Sequence, residues 1–178
     1  DFEFRCPDGG QPEPRCLVAR NWRTGEVVRM WIDEHSCSPF HSDDLLVAYY
    51  ASAEVGCFLS LGWPAPQYVL DLFVEFKNRL GGVPSLHGAG LLGACQHFRI
   101  HTGMTSESKD ANRELAQRED FSAEERERLL DYCEGDVDCT FRLLVAMLPG
   151  IDLSRALLRG RYMAAAAHVE RVGIPMDG

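Results

Sequence analysis

The pattern of apolar residues changes character twice along this chain, and that order constrains the fold more than any single motif. In the first third, short alternating or apolar runs bounded by breakers predict strands over residues 1–6, 16–22 and 27–32. Arg23-Thr24-Gly25-Glu26 supplies a hairpin turn between the last two, and residues 7–14 read as a loop from their prolines and glycines. Strand and helix then alternate. Residues 45–50 predict a buried strand, 52–61 a short helix, and 69–73 a second strand leading into helical sequence that Gly81-Gly82 stops after Leu80. From Ser85 onward the pattern is helical. Ser122-Ala-Glu-Glu125 is a capping box opening a helix through Leu130, Val137, Phe141 and Leu144, which Pro149-Gly150 ends. A last helix is expected over about 153–172. A meander, then alternation, then helices alone predicts an α/β protein: a mixed sheet, antiparallel meander plus parallel strands, flanked by helices.

A chain of 178 residues is long enough for one compact domain with a sizeable core. Lys plus Arg number 18 and Asp plus Glu 27, a net charge of −9. That excludes tight nucleic-acid binding by charge alone, yet not a nuclease, whose metal-binding carboxylates would add to the acidic excess. No apolar run approaches a membrane span, and Asp-Phe-Glu-Phe at the start is no signal peptide. Seven cysteines without a CxxC pair fit a reducing compartment better than a disulfide framework. A soluble, cytoplasmic domain is the expectation.

Two acidic pairs carry chemistry. Asp1 and Glu3 sit two apart on a strand, so both carboxylates share one face while Phe2 and Phe4 take the other. Side by side they repel unless a cation lies between them. Tyr132 and Asp136 are four apart and share one helical face, whereas Glu134 and Asp138 are expected to point away, to water. Each pair alone is more often structural than functional.

Together they resemble the DEDD-type 3′–5′ exonucleases of the ribonuclease H-like fold. Asp1-Phe2-Glu3 is similar to the first motif of that family, and Tyr132-Cys-Glu-Gly-Asp136 to its third motif in the tyrosine form; Asp131 stands where the histidine subclass would place its histidine. The second motif departs from the pattern. Residues 47–58 have the strand-to-helix position but carry Glu54 where an aspartate is expected, and Asp71 competes for the fourth carboxylate, with Glu54 preferred. The tail from Leu157, above all Glu170-Arg-Val-Gly-Ile-Pro-Met-Asp177, is similar to the segment joining exonuclease and polymerase domains in bacterial and phage family A DNA polymerases. Residues 85–120 contribute little to the resemblance.

The resemblance implies a 3′–5′ exonuclease domain over 1–150 and a linker helix over 151–178, part of a longer chain with a polymerase domain following. It implies two-metal hydrolysis of the terminal phosphodiester of single-stranded DNA, with Mg²⁺ or Mn²⁺ as the ions. Asp1, Glu3 and Asp136 would hold one ion, Asp1 and Glu54 would reach the second, and Tyr132 would orient the attacking water. Two alternatives stay open: an inactive exonuclease-like module that braces a polymerase, suggested by Glu54, and a free-standing exoribonuclease of the same fold.

Three other patterns read as structure. Gly88-Ala-Gly-Leu-Leu-Gly93 matches GxGxxG but follows no strand, so close helix packing explains it better than a dinucleotide. Cys95, His97 and His101 lack a completing ligand for zinc, and solvated helix histidines are expected. Ala164 to Ala167 reads as a close-packing helix face.

Overall fold

The computed structural model describes residues 1–173, apart from the side chain of Ser106. The Gly-Ile-Pro-Met-Asp ending lies largely outside the described residues. The meander forms from β1 (Phe2–Arg5), β2 (Glu13–Arg20) and β3 (Val27–Trp31), antiparallel in the order β1-β2-β3. Asn21 builds the turn after β2: its Oδ1 accepts the Arg23 and Thr24 amides at 2.9 and 3.1 Å, an Asx turn. β4 (Leu45–Ala48) and β5 (Tyr68–Asp71) pair in parallel, with helix α1 (Ala51–Ser60) as their crossover. The α/β class, with antiparallel and parallel strands flanked by helices, is as expected; the strands hydrogen-bond as two ladders.

The remaining helices are α2 (Leu72–Leu80), α3 (Leu91–His97), α4 (Ser106–Ala116), α5 (Ala123–Met147) and α6 (Leu153–Val172). The strand expected over 69–73 ends at Asp71, because the Asp71 carboxylate caps α2 and draws Phe73 into its first turn. The helical stretch from 85 is interrupted around 98–105 and 117–122.

The long helix α5 is the pillar of the molecule. Ser122 and Glu125 close the anticipated capping box around its first turn. Its first half buries Leu129, Leu130, Cys133 and Val137 against β2 residues Cys16 and Val18 and against Leu115 of α4. Its second half buries Leu143, Leu144 and Met147 against Leu70, Leu72 and Phe76. A helix packed this way on two cores holds Tyr132 and Asp136, midway between them, in a fixed position.

Helix α6, expected as a linker, lies along β5 and α1. A Cβ at Gly160 would fall 1.9 Å from the Val69 carbonyl oxygen, so only glycine permits this approach. Arg159 grips the buried Glu75 of α2 with a two-pronged pair at 2.6 and 2.7 Å. Ala167 is buried among Ala51, Val55 and Val69, the close packing expected of the alanine run.

Other expectations are corrected or given a cause. Glu134 and Asp138 do not simply face water: Glu134 pairs with Arg29, and Asp138 with Arg20 and Arg142. His97 ends α3 with its ring edge-on to Phe76 at 5.3 Å, while His101 lies beyond the helix. In the GxGxxG stretch, a Cβ at Gly93 would meet the His87 carbonyl oxygen at 2.2 Å, so the glycine serves backbone packing. All seven cysteines are free, and no described helix is long and apolar enough to cross a membrane.

Candidate active site

The two acidic pairs meet at one cleft of about 560 Å³. Asp1 extends β1: its backbone nitrogen donates to the Val18 carbonyl at 2.9 Å, and the Val18 amide donates back to Asp1 at 3.0 Å. The β1–β2 register slips between Glu3 and Phe4, an irregularity of the kind that re-aims a side chain beside a functional site. Phe2 anchors the strand from the other side, its ring edge-on to Phe58 at 5.6 Å. Glu54 arrives from the first turn of α1, and Tyr132 and Asp136 from the inner face of α5.

All five expected site residues line this cleft, and Asp71 does not. The Asp71 carboxylate is consumed by four backbone amides: Phe73 and Val74 of α2, and Tyr50 and Ala51 at the start of α1, at 2.8 to 3.2 Å. Those bonds tie down Tyr50, which sits at φ 76°, the left-handed turn from which α1 and Glu54 are launched. Asp71 therefore positions Glu54 and leaves the cleft to it.

Asp1, Glu3 and Cys133 bring potential ligand atoms within 4.8 Å of one another; Glu54 and Asp136 line the same cleft outside that group. Burial, then the nearby Asp136 and Glu54 carboxylates, push the Glu3 carboxyl up to about 8. Burial, above all, raises the fully buried Glu54, with Asp136 and Asp71 adding to the shift. Burial, then the Asp136 and Glu3 carboxylates, raise the Tyr132 phenol, so it keeps its proton throughout the neutral range. Cys133 is also raised by burial; as a thiol it donates to the Asp1 carbonyl at 3.2 Å.

These residues fit a hard divalent cation. The carboxylates of Asp1, Glu3, Glu54 and Asp136 offer hard oxygen ligands, the donor type that suits Mg²⁺ or Mn²⁺, with the Cys133 sulfur beside Asp1 and Glu3. Asp136 Oδ1 is buried and, among the described residues, accepts no hydrogen bond of good geometry, its nearest counter-charge being the Lys109 ammonium.

Sequence reasoning missed the side chains that α4 contributes. Lys109 places its ammonium 3.0 Å from both Asp136 oxygens, donating to Oδ2 and lying close to Oδ1 without the geometry of a bond. The same ammonium stands 5.8 Å from the centre of the Tyr132 ring. One turn on, Arg113 also lines the cleft. The spacing offered the face alone: helical periodicity puts positions 109, 112, 113 and 116 together, and the structure buries Asn112, Leu115 and Ala116 there. Tyr49, Tyr50 and Phe73 were missed as well; they form an aromatic group on the cleft, Phe73 meeting the two tyrosines at 5.8 and 5.1 Å. Set beside known protein families, curated proteins and solved structures, the chain matches none of them.

Proposed function

We propose that this chain is a metal-dependent 3′–5′ exonuclease of ribonuclease H-like architecture, the proofreading domain of a family A DNA polymerase. The observation that carries the reading is the convergence in one cleft of buried carboxylates from β1, α1 and α5, with Tyr132 beside Asp136. In this reading Asp1, Glu3, Glu54 and Asp136 hold two Mg²⁺ or Mn²⁺ ions. When bound, such ions stabilise the charge that develops on a phosphodiester and lower the pKa of water.

The chain's own groups supply the rest. Tyr132, held protonated, is a donor that orients the attacking water and not a base. Glu3 and Glu54, both raised, give up protons as a cation enters, so ion uptake strengthens with pH. Tyr49, Tyr50 and Phe73 offer ring surface for the unpaired terminal base, which favours a frayed single strand over a duplex. The net charge of −9 leaves the holding of duplex to a polymerase domain, and makes binding by this chain weak and salt-sensitive.

One observation favours a second reading. The Lys109 ammonium already neutralises Asp136, as it would in an inert module that braces a polymerase. Degradation of 5′-labelled single-stranded DNA with Mg²⁺ or Mn²⁺, beside Asp136→Ala, separates the two. Proofreading predicts a ladder shortening from the 3′ end that EDTA and the substitution abolish. No degradation by folded protein would leave the bracing module.

A further inference from the structure

We propose that Lys109 is a tethered stand-in for the divalent cation, and that on ion binding it turns with Arg113 to the phosphates of the DNA strand, making α4 the element that grips substrate. The inference rests on the nuclease reading and names what the cleft uses to hold its ligand. Lys109 is largely buried, yet its single ion pair among the described residues is with Asp136, the carboxylate expected to ligate metal. A divalent ion at Asp136 would compete with the ammonium for the same oxygens, and repulsion between the two cations at close range favours departure of the ammonium. The lysine stem has four rotatable bonds, so its ammonium can leave while α4 stays packed through Asn112, Leu115 and Ala116.

What it turns toward is set by its neighbours. Arg113 lies on the same face of α4, is exposed at the cleft, and makes no ion pair among the described residues. Other arginines also lack an ion pair among the described residues, but Arg113 is the one of them that lines this cleft. An unmatched guanidinium beside a displaced ammonium, at the mouth of an acidic cleft in a chain of charge −9, is a ready partner for phosphodiester oxygens. The exchange leaves Asp136 matched in both states: ammonium on its carboxylate without the ion, ion on its carboxylate and ammonium on phosphate with it.

The test compares the unaltered protein with Lys109→Gln, Lys109→Arg and Arg113→Gln. Calorimetric titration with Mn²⁺ should show tighter binding in Lys109→Gln, by about tenfold, because the competing cation is gone. Binding of a labelled single-stranded oligonucleotide in Ca²⁺ should weaken about tenfold in Lys109→Gln and in Arg113→Gln. The dependence of log affinity on log salt should flatten by about 0.7 for each phosphate that the protein no longer neutralises. Lys109→Arg should recover most of the oligonucleotide affinity and its salt slope. A lysine that only ties α4 to α5 would give unchanged or weaker Mn²⁺ binding in Lys109→Gln and an unchanged salt slope in Arg113→Gln; either result overturns the inference. Because exposed Arg113 carries no fold-holding pair, its variant remains informative if Lys109→Gln unfolds. If Mn²⁺ binds none of the proteins, the nuclease reading falls and this inference with it.

Discussion

On the outer face of α5, Glu127, Asp131, Glu134 and Asp138 are met by arginines from the sheet and from the helix itself. Arg29 reaches Glu127 and Asp131 at 2.7 and 2.8 Å and Glu134 besides, while Asp138 takes Arg20 at 3.0 Å and Arg142 at 2.6 Å. On the inner face, Asp136 joins Asp1, Glu3 and Glu54 at a cleft where Lys109 is the one described side chain in ion-pair contact with any of the four. The outer carboxylates are half-buried to exposed; Glu3, Glu54 and Asp136 are all under 10% exposed. Carboxylates are thus equally dense on both sides, and density is uninformative. What separates them is the counter-charge. Where water would have served, the chain supplies arginine; where burial makes repulsion costly, it supplies a single lysine, Lys109.

Four predictions probe that contrast, from the largest effect down. Glu3→Gln should lower the exonuclease rate about a thousandfold, roughly 4 kcal/mol of transition-state stabilisation, while raising the metal-free melting temperature above neutral pH. An outer-face neutralisation such as Glu134→Gln should do neither, and matching effects at both sites would erase the distinction. Asp71→Ala strips an acceptor from four backbone amides and should cost about 3 kcal/mol in urea denaturation, with a slower nuclease as the Tyr50 turn loosens. A stability loss below ~1 kcal/mol would show that Asp71 is not the brace described.

The third prediction concerns pH. The Glu3 carboxyl is raised from 4.5 to about 8, so the folded state binds this proton more tightly than the unfolded one. Its contribution is fully present below the unfolded value and is lost as pH climbs through about 8, at up to ~1.4 kcal/mol per pH unit. Glu54, shifted the same way, adds the same sign. Metal-free melting temperature should therefore fall across that window, and saturating Mn²⁺ should restore more near pH ~8 than near pH ~5. A flat profile would mean the carboxylates are not crowded. Smallest, Arg29→Ala should cost about 1 kcal/mol in thermal melts, since its pairs are solvent-exposed, and leave nuclease rate intact.

How much of this was legible beforehand follows from the range of each interaction. Asp1 and Glu3, and Tyr132 and Asp136, are paired by the two-residue and four-residue periods of strand and helix, which a sequence displays directly. The Ser122 cap is equally local. Asp71 was ambiguous because an aspartate ending a strand serves as well for capping as for ligation; four amide donors from two helix starts decide it, and half of them come from 20 and 21 residues away. Lys109 was invisible for a different reason. Its inward face could be read from Leu115 and Ala116, but what that face meets depends on where α4 lands against β1 and α5. The same holds for Glu134 and Asp138, whose arginines lie on β3 and β2, more than a hundred residues before them.

The most direct test is Mn²⁺ titration by calorimetry at pH ~8 of the unaltered protein, Asp136→Asn and Glu134→Gln. The unaltered protein should show saturable binding that Asp136→Asn removes and Glu134→Gln leaves unchanged. No binding by the unaltered protein, or equal loss in both variants, would contradict metal binding at this cleft.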